Sequence, residues 1–158
     1  MKQDAVVALG NPLMGDEGAG PAVLERLRVD LDLGERVDLI DSAGSSMTAL
    51  HALSGRRKVV FVDCGYMGEE PGTLKRFLPR QAVSEKNMPR LSLHEGDLMQ
   101  VLEMAELLGD GAREVVVFGI EPERLGPGAG LSARLRSRLD EYARRIRAEF
   151  MEQAAPAR

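Results

Sequence analysis

Short aliphatic runs alternate along the chain with stretches whose apolar residues recur every three to four positions. Residues 5–9 (AVVAL), 37–40 (VDLI), 59–62 (VVFV) and 115–120 (VVVFGI) are compact runs bounded by polar or glycine positions, as expected of strands buried on both faces. The last of these is the most strand-like and reads as a buried central strand. A Pro71-Gly72 turn leads into a shorter strand through Thr73, Leu74 and Phe77, read as an edge. Between the runs, Val23, Leu24, Leu27 and Leu31 keep helical spacing behind Pro21, and residues 46–53 predict a short helix capped by Ser45 or Ser46. Leu98, Val101, Leu102, Ala105 and Leu108 give a further helical face that stops at Gly109, preceded by a polar loop over residues 79–89. Ser92 and Glu95 have capping-box spacing, which puts His94 in that helix's first turn. From about Ser132, the positions Leu135, Leu139, Tyr142, Ile146 and Phe150 predict a final helix with an arginine-rich, solvated opposite face. Strands separated by helices predict an α/β fold, three layers α/β/α around a mostly parallel, twisted sheet of about five strands. With no repeat or linker, residues 1–150 are expected to form one domain and residues 151–158 a frayed tail.

Composition narrows the class. The chain has 158 residues, 44% of them hydrophobic and only 4% aromatic, so its core is expected to be aliphatic. A net charge of −4 gives no basic face for nucleic acid. No stretch is long and apolar enough to span a bilayer, and MKQDAVVAL is too short and too acidic for an export signal. Neither nucleic acid nor membrane insertion is therefore expected, and the location expected is the cytoplasm. The single cysteine, Cys64, allows no internal disulfide and no cysteine-rich zinc site, and its position at a strand end predicts a small buried thiol.

Candidate chemistry concentrates where strands end. Residues 10–20 (GNPLMGDEGAG) place Asp16 and Glu17 in a glycine-studded turn between the first strand and its helix. Helix capping accounts for Asp16 but leaves the second acid and the four glycines unexplained. Neither a phosphate loop nor G-x-G-x-x-G is present, which argues against nucleotide binding. Asp41 and Asp63 close the second and third strands, and the His94 loop can reach the same edge, where open α/β sheets place their sites. Two carboxylates and a neutral imidazole suit an open borderline divalent site, nickel or zinc. On spacing alone, Asp63 as a turn cap and His94 as a helix-end residue stay open, as does a Cys64–His94 nucleophilic pair. His51 reads as a packing or surface residue.

These residues resemble a known family. GNPLMGDEGAG matches the G-N-x-L-x-x-D-[DE]-G-x-G motif of the hydrogenase maturation endopeptidases. VVFVDCGYMGEEPGTL, LSLHEGDLMQVLEMAELLG and VVVFGIEPERLGPGAGLS are similar to that family's strand-end aspartate, histidine-helix and late G-x-x-P segments. The resemblance implies a twisted five-stranded sheet between helices and an endopeptidase that trims the C-terminal extension of a [NiFe] hydrogenase large-subunit precursor. It further implies that Glu17, Asp63 and His94 are the metal-contacting and catalytic residues, and that nickel is supplied by the precursor rather than permanently bound. The family does not depend on a cysteine at position 64. Relatives often carry Asp-Gly-Gly-Thr after the second strand, whereas this chain has Asp41-Ser42-Ala43-Gly44-Ser45, so that loop's role in recognising a precursor does not carry over directly. A non-proteolytic nickel-binding assembly factor using the same three ligands, and a thiol protease using Cys64, are the alternatives.

Overall fold

The computed structural model describes residues 1–79 and 97–151. Five strands, β1 (Asp4–Ala8), β2 (Val37–Asp41), β3 (Lys58–Cys64), β4 (Leu74–Phe77) and β5 (Glu114–Ile120), form one sheet in the order β2-β1-β3-β5-β4. All neighbours are parallel except the edge strand β4, which runs antiparallel to β5. The interior of this sheet is covered on both sides, so β1 and β3 are buried along their whole length and cannot show a polar alternation. β5 lies inside the sheet as expected, although the middle strand is β3.

Strand alternation sorts the side chains into two cores. On one face, Val6, Val60, Val62, Cys64, Val116 and Phe118 pack against helix α1 (Ala19–Arg28) and against the C-terminal helix α6 (Leu139–Met151). On the other, Val7, Phe61 and Val117 meet helix α3 (Ser46–Leu53) and helix α4 (Asp97–Leu107). Asp63 has the parity of Val59 and Phe61, which puts it on the α3/α4 side.

Several boundaries differ from the sequence reading for physical reasons. Leu31 does not continue the first helix. Asp30 accepts a hydrogen bond from the Leu33 amide at 3.0 Å and starts a separate helix, α2 (Leu31–Arg36), leaving Leu31 80% exposed. The final helix is also divided, into α5 (Ala133–Arg136) and α6, yet Leu135, Leu139, Tyr142, Ile146 and Phe150 are all buried as their spacing predicts. Its arginine face is not simply solvated, because Arg147 pairs with Asp30 and Asp32 and Arg145 reaches the Leu74 carbonyl. Helix α3 and its Ser45 cap, which accepts from the Thr48 amide at 3.2 Å, appear as expected. The polar loop beyond Pro79, the Ser92–Glu95 capping box with His94, and the tail beyond Met151 lie outside the described residues.

At the amino edge of the sheet, Lys58 is fully buried and donates to Glu149 Oε1 at 2.9 Å, and Arg76 grips the same carboxylate through Nε and Nη2 at 2.9 and 2.8 Å. Arg56, also buried, donates to Asp38 at 2.6 Å and to the Lys2 and Ala52 carbonyls. The buried cations among the described residues thus sit at the amino edge, with the buried acids Asp16, Asp63 and Glu121 at the carboxyl edge.

Candidate active site at the carboxyl edge of the sheet

In the order β2-β1-β3, the chain leaves β1 towards one neighbour and later returns on its other side. That reversal opens a crevice beyond the carboxyl ends of β1 and β3. Glu17 lies in the turn that follows β1, within a 3-10 turn at Asp16–Gly18, and Asp63 is the penultimate residue of β3. Gly10 lies between the Glu17 backbone and the Asp63 side chain. It has φ +114°, and a Cβ there would run into the Glu17 carbonyl oxygen and stand 3.4 Å from Asp63 Oδ1. Gly20 serves the same close approach, since a Cβ at that position would collide with the Leu9 carbonyl oxygen and lie 2.7 Å from that of Val62. Without those side chains the start of α1 settles directly over the ends of β1 and β3.

The two candidate ligands have different surroundings. Asp63 is fully buried and its Oδ1 accepts the Cys64 amide at 2.8 Å. Glu17 is partly exposed, and desolvation raises its carboxyl above the ordinary glutamate value. Burial, followed by the charges of Asp63, Asp16, Glu121 and Glu17, pushes the Cys64 thiol upward. Cys64 is therefore a buried neutral thiol, contrary to what a nucleophilic pair requires.

Asp41 ends the edge strand β2 and is exposed, with its Oδ1 accepting the Ala43 amide at 2.9 Å. One strand separates β2 from β3, a spacing of roughly 10 Å, so Asp41 does not join Asp63 at the crevice. It instead lines a groove of about 410 Å³ with Pro12, Gly15, Gly18, Glu25 and Leu131, beside the Glu17 turn. Ala43, in the loop that departs from the family pattern, sits at φ +49°, a left-handed conformation that favours glycine. His51 is exposed on α3. His94 lies outside the described residues, and among those described no three His, Cys, Asp or Glu side chains group around one point.

Two further acids take structural roles at this edge. Asp16 does not cap α1. Its Oδ2 accepts the amides of Glu123 and Arg124, both at 2.9 Å, and its Oδ1 accepts that of Ser132 at 2.7 Å. Glu121, just beyond β5, accepts the amides of Met67 and Glu69, both at 2.8 Å, and shapes the loop after β3. Its place at a strand's carboxyl end, like that of Asp41 and Asp63, was the signal available in the sequence.

Comparison with known proteins agrees with this architecture. Residues 21–149 match the family model HycI, described as hydrogenase maturation protease. The chain is 30% identical over 120 residues to the hydrogenase expression/formation protein HoxM of Cupriavidus necator, covering 75% of this chain and 59% of that one. Most of the HoxM and HupD relatives are likewise covered over less than two thirds of their length. The hydrogenase 2 maturation protease of Escherichia coli is 24% identical over 153 residues, covering 96% of this chain and 93% of that one. The fold is shared with the solved hydrogenase maturating endopeptidase HybD from E. coli, with a TM-score of 0.82, 22% identity and coverage of 98% and 94%. With four fifths of its length in the family model, a sheet of the same fold and its acids at the β1/β3 crevice, this chain belongs to the hydrogenase maturation protease family.

Proposed function

We propose that this chain is an endopeptidase that removes the C-terminal extension of a nickel-loaded [NiFe] hydrogenase large-subunit precursor. The observation that carries the reading is the convergence of the Glu17 turn and the Asp63 carboxylate on Gly10, at the sheet's switch point, in a chain of this family. Nickel is part of the substrate in this scheme. Glu17, the more exposed acid, meets the arriving ion first, Asp63 stands behind it, and His94 supplies the imidazole from the segment that leads into α4. Oxygen and nitrogen donors of this kind suit a borderline divalent ion while leaving positions open for the precursor's own ligands. Holding the ion places the scissile peptide beside it, where Lewis-acid polarisation of the carbonyl or activation of a water assists hydrolysis. The reaction is assigned to the cytoplasm, where a lone thiol such as Cys64 stays reduced.

Purified protein should shorten nickel-loaded precursor and leave nickel-free precursor intact. Glu17→Gln, Asp63→Asn and His94→Ala should each abolish the shortening, whereas Cys64→Ala should retain it. Ion or precursor binding without peptide release would favour an assembly factor. Loss of cleavage in Cys64→Ala, with the fold intact, would overturn the mechanism in favour of a thiol protease.

A further inference from the structure

Glu17 sits in the three-residue 3-10 turn after β1. The residue before it is tied down from outside that turn. Asp16 is 1% exposed, and its two oxygens accept three backbone amides from one distant loop, residues 121–132, which follows β5. Backbone bonds run alongside: the Asp16 amide donates to the Arg124 carbonyl at 3.0 Å, the Gly15 amide to that of Gly128 at 2.8 Å, and the Gly128 amide to that of Leu13 at 3.0 Å. Together they fasten the loop after β5 to both sides of the turn. The same two loops supply Gly15, Gly18, Gly130 and Leu131 to the groove beside Glu17.

We propose that Asp16 is a positioning residue for the metal-contacting Glu17, acting through the carboxylate staple between the first turn and the loop after β5. This rests on the endopeptidase reading given above. An asparagine at position 16 keeps the size but only one acceptor oxygen, and its amide nitrogen must then face one of the amide donor sets. The staple opens on that side and Glu17 loses its fixed aim. Because Glu17 contacts the precursor's metal in the ground state as well as in the transition state, the loss falls on substrate binding.

The test compares Asp16→Asn with wild type and with Asp38→Asn, which breaks the Arg56 ion pair at the opposite edge of the sheet and controls for general destabilisation. In precursor cleavage, Asp16→Asn should raise KM by about 10–100-fold, the usual range for losing a residue that orients a metal ligand, with kcat changed by less than about 3-fold. Asp38→Asn should leave both constants near wild type. Hydrogen exchange provides a second readout independent of activity: the amides of Glu123, Arg124 and Ser132 should exchange faster in Asp16→Asn, while those of β3 keep their protection. Unchanged KM, or a KM rise matched by Asp38→Asn, overturns the proposal, as does unchanged exchange at the three amides. If wild type leaves loaded precursor intact, the endopeptidase reading fails. Binding of Ni²⁺ to the free protein then decides the role of Asp16: Asp16→Asn should weaken it as Glu17→Gln does, and an unweakened affinity in Asp16→Asn overturns the positioning role.

Discussion

Glu17 is held in the free protein at an energetic disadvantage, because desolvation opposes its charge and raises its carboxyl pKa. A raised acid binds more protons folded than unfolded, so it lowers stability progressively as pH rises through the ordinary glutamate range. Glu17→Gln should therefore raise the melting temperature at pH 7 while abolishing cleavage, and the gain should vanish near pH 3, where both side chains are neutral. Melting curves at the two pH values check this; a variant less stable than wild type at pH 7 would contradict the assigned cause. Asp16 shows the limit of reading single residues. Its place beside a helix start fits capping, yet its partners lie more than a hundred positions away and no local pattern points to them. Asp63 was legible because an aspartate closing an aliphatic run is conspicuous, but its complete burial follows from what packs around the end of β3.

Among the elements, α3 shows local signals agreeing with tertiary structure. Its Ser45 cap bonds the Thr48 amide, and Ala49, Ala52 and Leu53 face the core. Ser45→Ala should destabilise the protein by about 1 kcal/mol, measured by denaturant unfolding, since one partly buried helix-end amide then loses its acceptor. A change near zero would show that water replaces the cap without penalty. The divided helices were harder to read. Leu31 keeps the spacing of Val23, Leu24 and Leu27, but the Asp30 cap outweighs that continuity and is reinforced by Arg147 reaching across from α6. Tyr142 likewise looks like one more apolar position. In place, burial pushes its phenol up to about 12 and its hydroxyl donates to the Gly72 carbonyl at 2.5 Å, which ties α6 to the turn before β4.

At the scale of the whole molecule, the buried basic side chains among the described residues, Arg56 and Lys58, lie at the amino edge of the sheet. Burial pushes the Glu149 carboxyl up, but hydrogen bonds and charge from Arg76 and Lys58 outweigh it and hold the carboxyl below the usual range. Asp38, desolvated yet bonded to Arg56 and to the Lys2 amide, is lowered in the same way. Acids with lowered folded values contribute stability above their unfolded pKa of about 4, and lose it as pH falls through the folded value. Glu149→Gln leaves the buried Lys58 ammonium without its closest partner and should cost about 3–5 kcal/mol at neutral pH. The difference from wild type should shrink below about pH 3.5, and denaturant titrations at both pH values measure it. An equal loss at both would place the stability of the pair elsewhere than in its charge.

Taken alone, the amino-acid order determined the five strands, the mostly parallel α/β class, helix α3 with its Ser45 cap, and the acids at strand ends. Those properties depend on residues within about one turn or one strand of each other, where periodicity and capping are written directly. Tertiary structure alone decided that β1 and β3 are neighbours at the switch point, that the Glu17 backbone carbonyl and the Asp63 carboxylate both lie against Gly10 while Asp41 is left one strand away, and that Asp16 fastens a loop from the other end of the chain. Such pairings join positions separated by dozens of residues, and they become definite only when the aliphatic faces of the sheet bury themselves against their helices and thereby fix strand order.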